Sequence, residues 1–187
     1  MKKRVFIAIN LSEEVKTQLA EFLSLTKKIN SNPVIRYVKT KGLHLTLHFL
    51  GYLTEEQISQ VKEIIKNQAK NFAQTGLITE KIDAFPNLEK PRIIFLAARQ
   101  TRGENLANLQ LNLGRAIEKI GLELDHRLWH AHLTLARIVS PCQFKTKNLI
   151  VPKIEIPVKS IELMESQLLG SGAEYKILAS YTLAPNT

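Results

Sequence analysis

Apolar residues recur along this chain with two periods, alternation and a spacing of three to four, and the switches between them mark its elements. Arg4-Val5-Phe6-Ile7-Ala8-Ile9 is an apolar, β-prone run. Val15, Leu19, Phe22, Thr26 and Ile29 then recur at spacings of three and four, which predicts a helix with one apolar face. Ser12 stands where that helix needs an N-cap, and Glu13 and Glu14 suit its positive end. His44-Leu45-Thr46-Leu47 alternates as a strand does. A further helix is expected from about Glu55 to Phe72, opened by a Thr54/Gln57 capping box, with Ile58, Val61, Ile65 and Phe72 inward.

The same order then returns. Arg92-Ile93-Ile94-Phe95-Leu96-Ala97 reads as a strand, Leu106, Leu109, Leu113, Ile117 and Ile120 as a helix face, and His132-Leu133-Thr134-Leu135 closes the unit. The interval from Arg4 to His44 equals that from Arg92 to His132, and Leu23/Leu111, Leu25/Leu113 and Ile29/Ile117 match at the same offset. This predicts a duplicated unit, residues about 4–50 and 92–138. Near the end, Ile161 to Leu169 and Glu174 to Leu183, joined by Gly170-Ser171-Gly172, predict a hairpin. The expected fold is α+β, a single bilobal domain over 1–187. Two pseudo-twofold-related lobes of antiparallel sheet are each backed by helices, with the active site in the cleft between them.

Composition narrows the class. A chain of 187 residues with 44% hydrophobic residues can bury a substantial core. Its longest apolar run, Ile93 to Ala98, is far short of the roughly 20 residues a membrane helix needs. Lys2-Lys3-Arg4 before Val5 to Ile9 is too short for a signal peptide, so a cytoplasmic protein, away from membranes, is expected. Cys142 is the single cysteine, which excludes an intrachain disulfide and a thiolate cluster; it is read as structural or incidental. A net charge of +9 and a pI of about 9.7 point to an anionic partner, nucleic acid first. A monomer is expected.

Alternation gives the two tetrapeptides their chemistry. His44 and Thr46 share one strand face, Leu45 and Leu47 the other, and the second motif repeats this with His132 and Thr134 against Leu133 and Leu135. Two such faces brought together place two imidazoles and two hydroxyls around a small space, a set that suits a phosphate. Because histidine titrates near 6.5, one ring can serve as general base and the other as general acid. No metal or cofactor is expected. His126, His130 and His132 have chelate spacing, but zinc would want a further ligand and only Glu123 and Asp125 are near.

Two His-x-Thr-x motifs in this setting resemble the 2H phosphoesterase superfamily, and the text around them resembles its RNA 2′,3′-cyclic phosphodiesterase branch, long called 2′-5′ RNA ligases. The matching stretches are Arg4 to Ile9, His44-Leu-Thr-Leu-His-Phe-Leu-Gly51, Phe85-Pro86, Pro91-Arg92-Ile-Ile, His132-Leu-Thr-Leu-Ala-Arg137 and Glu165-Ser166 through Tyr175, nearly the whole chain. The resemblance implies a bilobal fold and hydrolysis of RNA ending in a 2′,3′-cyclic phosphate, tRNA halves among such RNAs, to a 2′-phosphate. It also implies that His44 is the proton donor and His132 the proton acceptor, that Thr46 and Thr134 hold the phosphate, and that Arg137 stabilises its charge. The reverse joining to a 5′-hydroxyl would use the same site. Ala131 stands where the family usually has Pro, with little effect expected. Arg137 follows His132 by five residues and falls on the wrong face of an ideal strand, so either a bulge re-aims it or the strand ends first.

Other residues take smaller roles in this reading. Arg92, beside the cleft, meets RNA backbone, while Arg4 is a surface residue by default. Tyr175 stacks on a base; Phe49, with the parity of Leu45 and Leu47, packs in the core; His48 and His130 face solvent. Lys27-Lys28 and Lys145-Thr-Lys147 are solvated surface that can guide RNA. The competing functions are a non-catalytic RNA-binding module and a phosphodiesterase for a small cyclic nucleotide or ADP-ribose cyclic phosphate. Both histidines and both threonines argue for catalysis, and the positive charge for the larger RNA.

Overall fold

The computed structural model describes residues 1–102, 106–169 and 172–185. In chain order the elements are β1 (Lys3–Asn10), α1 (Glu13–Ile29), β2 (Ile35–Tyr37), β3 (His44–Leu53), α2 (Glu55–Lys70), β4 (Thr75–Phe85), β5 (Ile93–Arg102), α3 (Leu106–Glu118), β6 (His132–Ile138), β7 (Glu155–Val158), β8 (Ser160–Leu169) and β9 (Gly172–Thr182). One turn of 3-10 helix, Thr40–Gly42, precedes β3. The helices start where their caps predict. Ser12 accepts from the Val15 N–H at 3.3 Å, and Thr54 and Gln57 form a reciprocal capping box. None of the described helices is long and apolar enough to cross a membrane.

The strands make one antiparallel sheet in the order β7-β4-β5-β6-β3-β1-β8-β9, curled and backed by the three helices. It divides evenly about its middle. β3-β1-β8-β9 form one lobe and β6-β5-β4-β7 the other, so the two motif strands are the inner edges, and the lobes are halves of a continuous sheet. They join through a single register pair, Leu45 opposite Leu133. Past that point β2 takes over the edge of β6, pairing Ile35 with Ile138, and the Val38 N–H donates to the Leu135 carbonyl at 2.9 Å. The sheet therefore opens like a wedge next to the motifs.

Alternation sorts the side chains into two layers. Val5, Ile7, Ile9, Leu45, Leu47, Leu133 and Leu135 face the helices, where Leu19, Phe22, Val61, Ile65, Leu109 and Leu113 close the main core. Phe6, Ala8 and Met164 form a small cluster on the other face, with Tyr175 packed against it. Val5 to Ile9 is thus buried on both sides, which is why it reads as a continuous apolar run.

Several expectations need correction. The repeat does not keep constant register. Leu23 is buried and its supposed mate Leu111 is 47% exposed, while Leu25 is exposed and Leu113 buried, because the two helices are rotated to seat different leucines. β1 and β5 also stand one residue short of the histidine offset, since Ile9 pairs with Leu45 but Leu96 with Leu133. Strands β2 and β4 go beyond the elements that the hydropathy pattern predicts. In β4 the pairing with β5 slips between Thr79 and Ile82, with Glu80 and Lys81 exposed, and this interrupts the alternation a strand prediction needs. The β8–β9 hairpin is present and pairs from Ser160–Thr182 to Leu169–Gly172; Gly170 and Ser171, expected to join it, lie outside the described residues.

Candidate active site

The site is built by two bulges at matching places. Along β3 the pairing with β1 runs Asn10–His44, Ile9–Leu45 and Ala8–Thr46, then slips so that Ile7 meets His48, leaving Leu47 as the extra residue. Along β6 the pairing with β5 runs Ala97–His132, Leu96–Leu133 and Phe95–Thr134, then slips so that Ile94 meets Ala136, leaving Leu135 extra. A bulge reverses the faces of every residue beyond it. Arg137 is thereby turned to the face of His132 and Thr134. It lines one cavity together with His44, Thr46, Phe49, Thr134 and Tyr175.

The same geometry overturns two expectations. His48 does not face solvent. Beyond the bulge it turns toward α3, is only 7% exposed, and puts Nε2 at 2.7 Å from the Gln110 carbonyl. Phe49 does not pack in the core. It emerges on the cavity side, 58% exposed, its ring 6.1 Å from that of Phe6. Parity counted from the motif fails at both positions because one inserted backbone residue inverts it.

Both imidazoles are held alike. Nδ1 of His44 lies 2.8 Å from the Gly42 carbonyl, and Nδ1 of His132 lies 2.7 Å from the His130 carbonyl. A carbonyl only accepts, so each Nδ1 carries a hydrogen and each Nε2 is left as the exchangeable atom. Rings clamp the orientation. His44 sits 4.8 Å from Phe6 and meets Tyr175 edge-on at 4.8 Å; His132 lies 5.1 Å from Phe95 and meets Phe85 edge-on at 5.3 Å. Of these aromatics only Tyr175 has a site role in the sequence, and there as a base-stacking ring. Phe85 is marked only by the Phe85-Pro86 resemblance, and Phe6 and Phe95 sit in strand runs that give them no role at the site.

Burial is the main reason both histidines ionise below the ordinary value of 6.5, with their carbonyl partners pulling the other way. For His44 the charges of His132, Arg137 and Lys16 add to the depression. Positive groups thus converge on one spot, and among the described residues no carboxylate lines it, so an anion bound there relieves their repulsion. The backbone is pinned across the junction as well: the Trp129 indole N–H, in the segment leading into β6, donates to the Thr46 carbonyl at 2.9 Å.

The remaining predicted contacts divide. Tyr175 is at the site. Arg92 is not in this cavity. It lines a separate groove with Pro91, Ile138, Val139 and Cys142, and its backbone bridges β4 and β6, the N–H to Phe85 at 2.8 Å and the carbonyl from Ile138 at 2.9 Å. Arg4 is in the cavity instead, its Nη1 donating to Ser166 Oγ at 3.3 Å. His126, His130 and His132 do not assemble; among the described residues no three His, Cys, Asp or Glu side chains are gathered as metal ligands. His126 is 3.6 Å from Glu118.

Comparison with known proteins gives this architecture its place. A model of the family described as LigT like Phosphoesterase matches residues 9–95, the stretch holding the first motif. The chain is similar to a Thermotoga maritima protein named RNA 2′,3′-cyclic phosphodiesterase, 27% identical over 178 residues that cover 94% of this chain and 92% of the other. An Archaeoglobus fulgidus protein of the same name is 27% identical over 185 residues, covering 94% and 97%. Among solved structures, the crystal structure of TT0787 of Thermus thermophilus superposes with a TM-score of 0.81 at 27% identity, covering 96% of this chain and 97% of that one. The crystal structure of E. coli LigT complexed with 3′-AMP has the same fold, with a TM-score of 0.74 at 21% identity over 98% and 99%. Over nearly its whole length the chain is thus similar to proteins named RNA 2′,3′-cyclic phosphodiesterase, and it shares with the solved structures a curled antiparallel sheet backed by helices.

Proposed function

We propose that this enzyme opens the 2′,3′-cyclic phosphate at the end of an RNA to a 2′-phosphate, with His44 and His132 as general acid and base and no metal. The observation that carries the reading is the shared tether. Each imidazole commits Nδ1–H to a backbone carbonyl and leaves Nε2 for proton exchange, one from each lobe. Two copies of one unit, about 4–50 and 92–138, account for that likeness. The relatives named RNA 2′,3′-cyclic phosphodiesterase support the substrate.

In this mechanism neutral His132 takes a proton from water at Nε2 as the water oxygen bonds to phosphorus. The bond from phosphorus to the 3′-oxygen breaks, and protonated His44 delivers its Nε2 proton to that oxygen. The product is a 2′-phosphate beside a 3′-hydroxyl, and exchange with solvent restores both rings. Each proton transfer is worth about 10²–10⁴ in rate. Thr46 and Thr134 donate to the non-bridging oxygens, and Arg137 stabilises the charge that builds on them. A 5′-hydroxyl taking the place of water would give a 2′-5′ linkage at the same site. Cleaved RNAs such as tRNA halves are the proposed substrates, and a cytoplasmic monomer the working form.

The test is incubation with a short RNA ending in a 2′,3′-cyclic phosphate, in EDTA, with His132→Ala run beside the parent. A 2′-phosphate product that disappears in the variant is the expected result. A 3′-phosphate product, or activity abolished by EDTA, would overturn the mechanism.

A further inference from the structure

We infer that Arg4 and Ser166 form a second anion subsite in this cavity, one that takes the bridging phosphate of the nucleotide preceding the cyclic end. The inference rests on the RNA reading above and extends it from the reacting phosphate to the length of the substrate.

Arg4 lies on β1 next to Val5, which pairs with Glu165 of β8, so the antiparallel register carries Arg4 across from Ser166. Ser166 is only 8% exposed, and its hydroxyl accepts from the guanidinium at 3.3 Å. That bond orients the arginine without cancelling its charge. The adjacent Lys3 is the contrast: Glu55 neutralises it at 2.7 Å. Among the described residues no carboxylate lies within ion-pair distance of Arg4, so its charge is presented to the cavity.

Distance separates this charge from the reacting group. Arg4 stands four residues along β1 from Ala8, the partner of Thr46, which is roughly 13 Å of strand at ~3.3 Å per residue. Arg137, three residues past Thr134 on β6, is the guanidinium nearer along the strands to the Thr46/Thr134 pair, and Arg4 is left for a second charge. A cavity lined by one arginine from β1 and another from β6 matches a ligand with two negative charges. A mononucleoside cyclic phosphate has one, and a dinucleotide ending in the same group has two. The wall also has Phe49, exposed and flat enough for a base, and Gly51, whose positive φ of 73° and missing side chain let a ligand backbone come close.

The experiment is a binding titration with a dinucleotide that ends in a 2′-phosphate, linked either by phosphate or by an uncharged methylphosphonate. Parent, Arg4→Gln and Arg4→Lys proteins are compared, each checked by its thermal unfolding midpoint. The parent is expected to bind the phosphate-linked ligand about tenfold more tightly, the size of one charge-assisted hydrogen bond. Arg4→Gln should bind both alike, and Arg4→Lys should recover part of the discrimination. A parent indifferent to the linkage, or an Arg4→Gln protein that discriminates as the parent does, overturns the subsite. Because binding is read without turnover, failure to open any cyclic phosphate would sink the proposed reaction and leave this result standing on its own.

Discussion

Leu45 lies directly opposite Leu133, and this one pairing sets the register of the whole site. Counted in antiparallel register from this pair, His44 falls opposite Thr134 and Thr46 opposite His132. Both leucines are fully buried in the core beneath. Leu45→Ala or Leu133→Ala should cost about 2–5 kcal/mol in urea unfolding. Activity should fall further than the unfolded fraction accounts for, because the cavity opens under the paired motifs. Loss in strict proportion to unfolding would mean the register survives without them.

The proposed acid and base roles predict the catalytic pattern. His44→Ala and His132→Ala should each lower single-turnover rate by about 10²–10⁴ while ligand affinity is kept. Loss of affinity with a normal rate would assign either residue to binding instead.

Arg137 reaches the site only because of the bulge at Leu135. Arg137→Ala should reduce kcat by about 10²–10³, and Arg137→Lys should recover part of it through charge without the forked donors. Arg92→Ala, altering a residue in the separate groove, should leave kcat unchanged; a comparable loss there would mean that substrate reaches both surfaces.

The Trp129 indole bond to the Thr46 carbonyl fastens one motif to the approach of the other. Trp129→Phe keeps most of the ring and removes the donor. It should cost about 1 kcal/mol of stability and lower kcat more than it raises KM, since the displaced group, Thr46, is proposed to hold the phosphate. Unchanged kinetics would make the bond purely structural.

Acidity should act on folding before it acts on chemistry. His44, His48 and His132 are all held below 6.5, mainly by burial. From 6.5 down to those lowered values the unfolded chain binds more protons than the folded one, so stability falls as pH falls and rises as pH rises. The thermal midpoint should decline on acidification below about 6.5, and His48→Asn should make that decline shallower. In kcat/KM the bell should be centred below the ordinary histidine value. A bound anion favours the protonated rings and should move the kcat profile upward. Coincident profiles would argue that the anion does not contact the pair.

Much of this protein is legible in the sequence because local chemistry settles it. The caps at Ser12 and Thr54, the apolar faces of the three helices, and the alternation within each His-Leu-Thr-Leu all depend on residues a few positions apart. So does the sharing of one face by His44 and Thr46, and by His132 and Thr134. Tertiary structure alone decided what lies beyond the two bulges. A bulge inserts one backbone residue opposite another strand, and nothing in Leu47 or Leu135 announces it. Its effect is to bury His48, expose Phe49 and turn Arg137 inward. The partnership of Arg4 with Ser166, and of Trp129 with Thr46, likewise depends on which strands lie side by side. That order is chosen by the packing of the whole sheet, which no stretch of the chain records by itself.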